Sequence, residues 1–284
     1  MLIRPLPLLN FFVVLVMLSI GLRVSGGELL DILRNRAMLV RSLVANCVIV
    51  PALGVLLVLL FPLTADATVG ILLLAAIPGT PIALQFTRQA KTRLAFAAAM
   101  TFLLSVVSIA MAPLAVEVMP KAATRSERPI LNLLASIVLY VALPLGAGLL
   151  VTRRAPKIAP RLVLPLGILA TIVFSFLMWE TRLMRSQAFN AIRGRGTILA
   201  LALLLLLSML LGWLLGGPDP ESRRVLATST SMRSVIVVLY VARYCFPGTD
   251  VYMVPLVYLS LMVPTNMVFH LALRLWHKWR PAGA

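Results

Sequence analysis

Apolar runs and short, arginine-rich polar stretches alternate along the whole chain. Nine of the runs hold no Asp, Glu, Lys or Arg, or just one, over enough residues to cross a bilayer or nearly so. They cover 6–22, 42–63, 67–87, 94–116, 130–151, 162–179, 196–217, 225–242 and 251–273. The pattern predicts an all-α multi-pass membrane protein with nine transmembrane helices, a single unit over 1–284. The first run ends Gly21-Leu22-Arg23-Val24-Ser25 without a small-x-small cleavage pattern, so it is read as a span and not as a leader.

Two of the runs are interrupted near their middles. Pro78-Gly79-Thr80-Pro81 sits in the centre of 67–87, and Thr228-Ser229-Thr230-Ser231, followed by Arg233, sits in 225–242. Proline removes a backbone donor, and hydroxyl side chains compete for the helix ladder. Both spans are therefore expected to unwind, with breaks at Pro78–Pro81 and Thr228–Ser231. Unpaired backbone in hydrocarbon is costly unless protein buries it or it lines a wet cavity. A pair of broken spans in corresponding places points to a midplane binding site of a transporter.

The blocks around the two breaks are laid out alike. A first repeat of four spans occupies 6–119, a fifth span stands at 130–151, and a second repeat of four occupies 162–275. The broken span is third in each, and equivalent spans are five apart. An odd offset makes the blocks cross in opposite senses, which predicts an inverted repeat whose two discontinuous helices cross. Gly216-Gly217-Pro218-Asp219-Pro220 reads as a tight turn before the eighth span, with Asp219 and Glu221 suited to the positive end of that helix.

Composition fits this reading: 61% of residues are hydrophobic and 12% charged, with a mean hydropathy of +1.02. The net charge of +17 does not form a nucleic-acid surface, because Lys and Arg lie almost entirely between spans. With the N-terminus outside, the inner loops hold 16 of the 26 basic residues and the outer side 9, leaving Arg233 in the membrane. That bias predicts a cell (inner or plasma) membrane protein with its C-terminus in the cytoplasm, although the stretch 180–195, read as an outer loop, works against it. Cys47 and Cys245 read as isolated packing residues, and His270 and His277 share no spacing with acids or cysteines. No metal motif, nucleotide loop or nucleophile elbow is present, so neither an enzyme nor a bound cofactor is expected.

Three stretches together resemble the bile acid:sodium symporter family. Residues 17–51 give a span ending at Gly21-Leu22, a basic loop and a next span reaching Pro51; residues 77–114 and 229–266 carry the two crossover regions and the spans after them. The resemblance implies a core of spans two to four and seven to nine rocking against a panel of spans one, five and six. It implies transport of an organic anion with sodium. The chain departs from the family at the ion-binding positions. The first crossover motif, Pro-Gly-Gly-x-x-Ser-Asn, becomes Pro78-Gly79-Thr80-Pro81-Ile82-Ala83-Leu84, so Ala83 and Leu84 lack the side-chain oxygens of two ligands. The second, Glu-x-x-Met-Gln-Asn, becomes Ser229-Thr230-Ser231-Met232-Arg233-Ser234. Thr101 and Ser105 keep hydroxyls, Asn46 keeps an amide, and Thr265-Asn266 match a polar pair of the substrate cavity.

Sodium wants several oxygens and a nearby negative charge; here a carboxylate is replaced by Ser229 and a cation is gained. Two unit charges 4 Å apart repel by about 4 kcal/mol at an effective dielectric near 20, and a guanidinium does not escape by losing its proton. Sodium coupling is therefore expected to be altered or lost, leaving facilitated diffusion or anion exchange. Arg233 lies mid-span with no acid inside the membrane, which leaves backbone carbonyls or an anionic ligand as its partner. Substrate contacts are expected from Arg233, Pro78, Gly79, Thr80, Ser234, Thr265 and Asn266, with Asn46, Thr101, Ser105, Ser229 and Met232 as remnants of the ion sites. Asn46, Thr101, Ser105 and Asn266 suit plain interhelical bonding equally. The expected partners are a small organic anion and membrane lipid. Rival readings are a non-transporting ligand receptor and an efflux permease of the same architecture.

Overall fold

The computed structural model describes residues 6–24, 35–79, 94–119, 130–192 and 196–279, and among these every regular element is helical. In chain order the elements are α1 (Leu6–Gly21), α2 (Arg36–Leu60), α3 (Ala65–Ala76) and α4 (Leu94–Val118). Then come α5 (Ile130–Ile137, Val138–Ala142 and Leu143–Arg154 in succession), α6 (Ala159–Ile192) and α7 (Thr197–Leu215). The last three are α8 (Pro220–Ser231), α9 (Val235–Cys245) and α10 (Met253–Trp279). Six helical stretches are long and apolar enough to cross a membrane, and three shorter apolar helices fall on the remaining apolar runs. The chain is thus a multi-pass membrane protein.

Both expected interruptions are present, one of them displaced. Helix α3 stops at Ala76, and the chain turns through Ile77, Pro78 and Gly79; Thr80, Pro81, Ala83 and Leu84 lie outside the described residues. In the eighth span the run Thr228–Ser231 is helical, and the break falls instead at Met232, Arg233 and Ser234. The hydroxyls do not compete with the ladder because each folds back onto it. Thr228 Oγ1 donates to Arg224 O (2.8 Å), Ser229 Oγ to Leu226 O (3.1 Å), Thr230 Oγ1 to Leu226 O (2.8 Å) and Ser231 Oγ to Thr228 O (3.2 Å). A second difference concerns 180–192, expected as loop, which continues α6. No Gly or Pro occurs between Trp179 and Gly194 to end it.

Two spans carry a wide, π-helical turn just before a proline: Ala45–Ile49 ahead of Pro51, and Val138–Ala142 ahead of Pro144. Proline cannot donate to the ladder and its ring pushes on the carbonyl four residues back, so widening the turn relieves the clash. At the start of α8, Asp219 caps the helix as its position suggests, accepting from Ser222 N–H at 3.1 Å.

Packing is densest within two sets of helices. Helix α1 lies mainly against α5 and α6, meeting α5 backbone to backbone. An ideal Cβ on Gly148 would sit 2.5 Å from Leu18 O, so only glycine permits this approach. In the other group α7 lies along α8, and α2 along α3. The eighth span is almost wholly buried, whereas the other long spans bury half or less of their residues and turn side chains such as Leu59, Leu60, Leu214 and Val268 outward. The interrupted span carrying Arg233 is therefore the one placed at the centre of the protein.

Candidate functional site at the helix crossover

The two breaks touch. Ser234 N–H donates to Ile77 O at 3.4 Å, joining the turn after α3 to the turn between α8 and α9. At the far ends, Asp250 N–H donates to Asp66 Oδ2 at 2.9 Å, which sets the start of α3 beside the end of α9. Gly79 allows the first turn: its φ is +79°, and an ideal Cβ there would lie 2.9 Å from the carbonyl carbon of Leu104 on α4.

Arg233 fills the space between the breaks and is wholly buried. Its Nε–H donates to Leu74 O at 2.9 Å, and Nη1–H to Asn46 Oδ1 at 2.9 Å. Nη2 donates to Asn46 O at 3.4 Å and to Ala75 O. The sequence explains why these oxygens are free. An unbroken α3 would offer Leu74 O to the N–H of residue 78, but residue 78 is proline. In the wide turn of α2, Val50 N–H bonds Ala45 O. The next bond of that pattern would join residue 51 to Asn46 O, and residue 51 is proline as well. Pro51 and Pro78 each release one carbonyl, and one guanidinium takes up both.

Of the two kinds of partner left open for Arg233, backbone carbonyls are the ones present: the guanidinium is held by two carbonyls ending α3 and by Asn46, and all these partners are neutral. Electrostatics favours the arrangement. The C-terminal ends of α3 and α8 both stop at the crossover, and each carries roughly half a negative charge that a cation offsets.

The remaining expected residues spread around this centre. Asn46 is buried, and its Nδ2 donates to Ser42 O at 3.0 Å. Met232 and Ser234 are buried in the break itself. Asn266 accepts from Ser231 Oγ at 3.2 Å and donates to Met262 O at 3.0 Å, while its neighbour Thr265 is half-buried. Thr101 and Ser105 are buried on α4, with Ser105 Oγ donating to Thr101 O at 2.8 Å. Ser229 is buried too, its hydroxyl turned onto its own helix.

Two partners were missed from the sequence. Tyr258 on α10, itself fully buried, donates its hydroxyl to Ser231 O at 2.7 Å and so satisfies a carbonyl at the end of α8. His270 Nε2 lies 3.0 Å from Thr228 Oγ1, a hydrogen bond whose direction the imidazole tautomer sets. A lone Tyr and a lone His in apolar helices carry no spacing signal. The carbonyls were findable, by counting four residues back from Pro78.

The model of the sodium bile acid symporter family matches residues 10–184. The chain belongs to that family. It is thus a membrane transporter of the bile acid:sodium symporter kind, in a family of transporters rather than enzymes. None of the curated proteins compared matches the chain. The family match takes in most of α1, α2 to α5, most of α6 and the first break, with Asn46 and Pro78. Ser229 and Arg233, the sharpest departures at the second break, lie beyond it. Family membership implies sodium, and the residues present do not fit it at the crossover. Asn46 Oδ1 is already committed to a guanidinium, and Ser229 turns its hydroxyl onto Leu226 O.

Proposed function

We propose that this chain is a sodium-independent carrier of a small organic anion, working by alternating access. The observation that carries the reading is Arg233: a wholly buried guanidinium, with no acid among its described hydrogen-bond partners, sets a full positive charge at the meeting point of two broken helices, offset there only by helix ends. Such a charge favours an anion and opposes a second cation nearby. Arg233 acts on the substrate through its field and not as an open fork. Direct contacts come from the backbone at Pro78, Gly79 and Thr80, from Ser234, and from Thr265 and Asn266. The start of α9, the positive end of a half-helix, adds to the attraction.

In this reading the blocks 6–119 and 162–275 form an inverted repeat. The group formed by α2 to α4 and α7 to α10 rocks against the panel of α1, α5 and α6. The close fit of α1 on α5 supports a rigid panel. With the cation supplied by the chain, no sodium gradient drives the cycle, and net movement follows the anion gradient or exchange against an internal anion.

Uptake into proteoliposomes tests this. Initial rates of organic-anion uptake are expected to be equal in sodium and potassium buffers, with internal unlabelled anion accelerating exchange. Rates that rise steeply with sodium and collapse in Thr101→Ala or Ser105→Ala would overturn the coupling. Binding without any uptake would favour a receptor. The orientation proposed is N-terminus outside and C-terminus cytoplasmic, from the loop charges. A reporter fused after Ala284 should be active only in the cytoplasm, and activity on the outer side would reverse the assignment.

A further inference from the structure

We propose that the oxygens around Arg233 form a cation cage which the chain fills with its own guanidinium, and that shortening residue 233 opens this cage to a free guanidinium ion or another small monovalent cation. Four acceptors surround the group: Leu74 O, Ala75 O, Asn46 O and Asn46 Oδ1. None depends on Arg233 for its position. Leu74 and Ala75 belong to α3, and Asn46 is anchored within α2 by its own bond to Ser42 O at 3.0 Å. The cage therefore remains when the side chain is cut back, as a buried set of oxygens from two helices for which the described residues offer no other donor. Buried carbonyls in that state seek a cation or a donor. Planar guanidinium suits them best, since the acceptors already match its fork.

The consequence is a carrier whose cation site is loaded at all times, because the cation is covalently attached and cannot leave. This deepens the reading of a sodium-independent carrier and rests on it for the consequence, though not for the cage itself.

The test uses the purified full chain in detergent with no organic anion present. Thermal unfolding of the parent, Arg233→Ala and Arg233→Gln is followed in matched millimolar guanidinium chloride, sodium chloride, choline chloride and urea. The parent is expected to melt at one temperature in all four. Arg233→Ala is expected to melt lower and to regain stability with the logarithm of guanidinium concentration, as a ligand of the folded state does, with no gain from urea or choline. Arg233→Gln keeps most of the side-chain volume and carries the test should Arg233→Ala not fold; its Tm should rise with guanidinium or sodium. The proposal is overturned if both variants respond to guanidinium and sodium no more than to choline and urea, if Arg233→Ala melts with the parent, or if neither variant folds even with guanidinium present. Sodium-dependent uptake by the parent would remove the functional reading while leaving a guanidinium response of the variants standing.

Discussion

Asn46→Leu is expected to lower the stability of the folded chain by on the order of 3 kcal/mol, the scale for leaving a buried charged donor without its acceptor. Leucine matches asparagine closely in size, so the cost does not come from a cavity. It comes from Arg233 Nη1–H, which loses Asn46 Oδ1 at 2.9 Å in a place no water reaches. Asn46→Asp keeps an oxygen at the same point and adds a negative charge facing the guanidinium, at the cost of the Nδ2–H bond to Ser42 O, so it should melt closer to the parent than Asn46→Leu does. Thermal or denaturant unfolding of the three proteins in one detergent decides the matter. Equal melting of Asn46→Leu and the parent would show that Arg233 does not need this partner, and the cage would lose its only side-chain oxygen.

The all-helical, multi-pass character was legible because bilayer length leaves a coarse mark: six helices are long and apolar enough to cross, and three shorter ones fall on the other apolar runs. The ends were less so. Residues 180–192 are polar enough to read as loop, yet nothing in them stops α6, and helix ends depend on caps and breakers more than on hydropathy. The break after α3 was legible from Pro78, whose missing donor acts wherever the residue sits. The break after α8 was misplaced by a few residues, because Thr and Ser either compete with a helix or stitch into it, and only the fold decides which. Thr230 shows the difference: its hydroxyl donates inside α8 and also reaches Ser208 O on α7 at 2.8 Å.

Which residues meet at the crossover was legible more than how they bond. Arg233, Asn46 and Pro78 do gather at one place. An acid opposite Arg233 would have been a side chain visible in the sequence, whereas three of its four acceptors are main-chain oxygens, two of them released by prolines on two other spans. Backbone acceptors have no residue type, so composition and motif spacing pass over them. What does mark them is a proline within a span: the residue four back in an ordinary turn, or five back in a widened one, has a carbonyl to offer. Two such prolines and one embedded arginine were enough to specify the crossover.

Gly79→Val is expected to abolish uptake and to destabilise the chain by about 2–6 kcal/mol, taking about 1–3 for backbone strain and about 1–3 for overpacking. The strain follows from the φ of +79°, which a β-branched side chain scarcely adopts. The overpacking follows from Leu104, whose carbonyl carbon would lie 2.9 Å from the new Cβ; that atom is backbone of α4 and cannot swing aside. Whatever moves must be the turn itself, and Ile77 O in that turn accepts the Ser234 N–H that joins the two breaks. Loss of uptake is therefore expected even where the protein still inserts and folds around the displaced turn. Gly146→Ala is the control, since an added Cβ there meets nothing within 4 Å. It should leave uptake intact and stability equal or better by up to about 1 kcal/mol, through helix propensity. Measured side by side, a Gly79→Val protein with parental melting and parental uptake would mean that the turn after α3 tolerates rebuilding, and the crossover would then be no fixed point of the transport cycle.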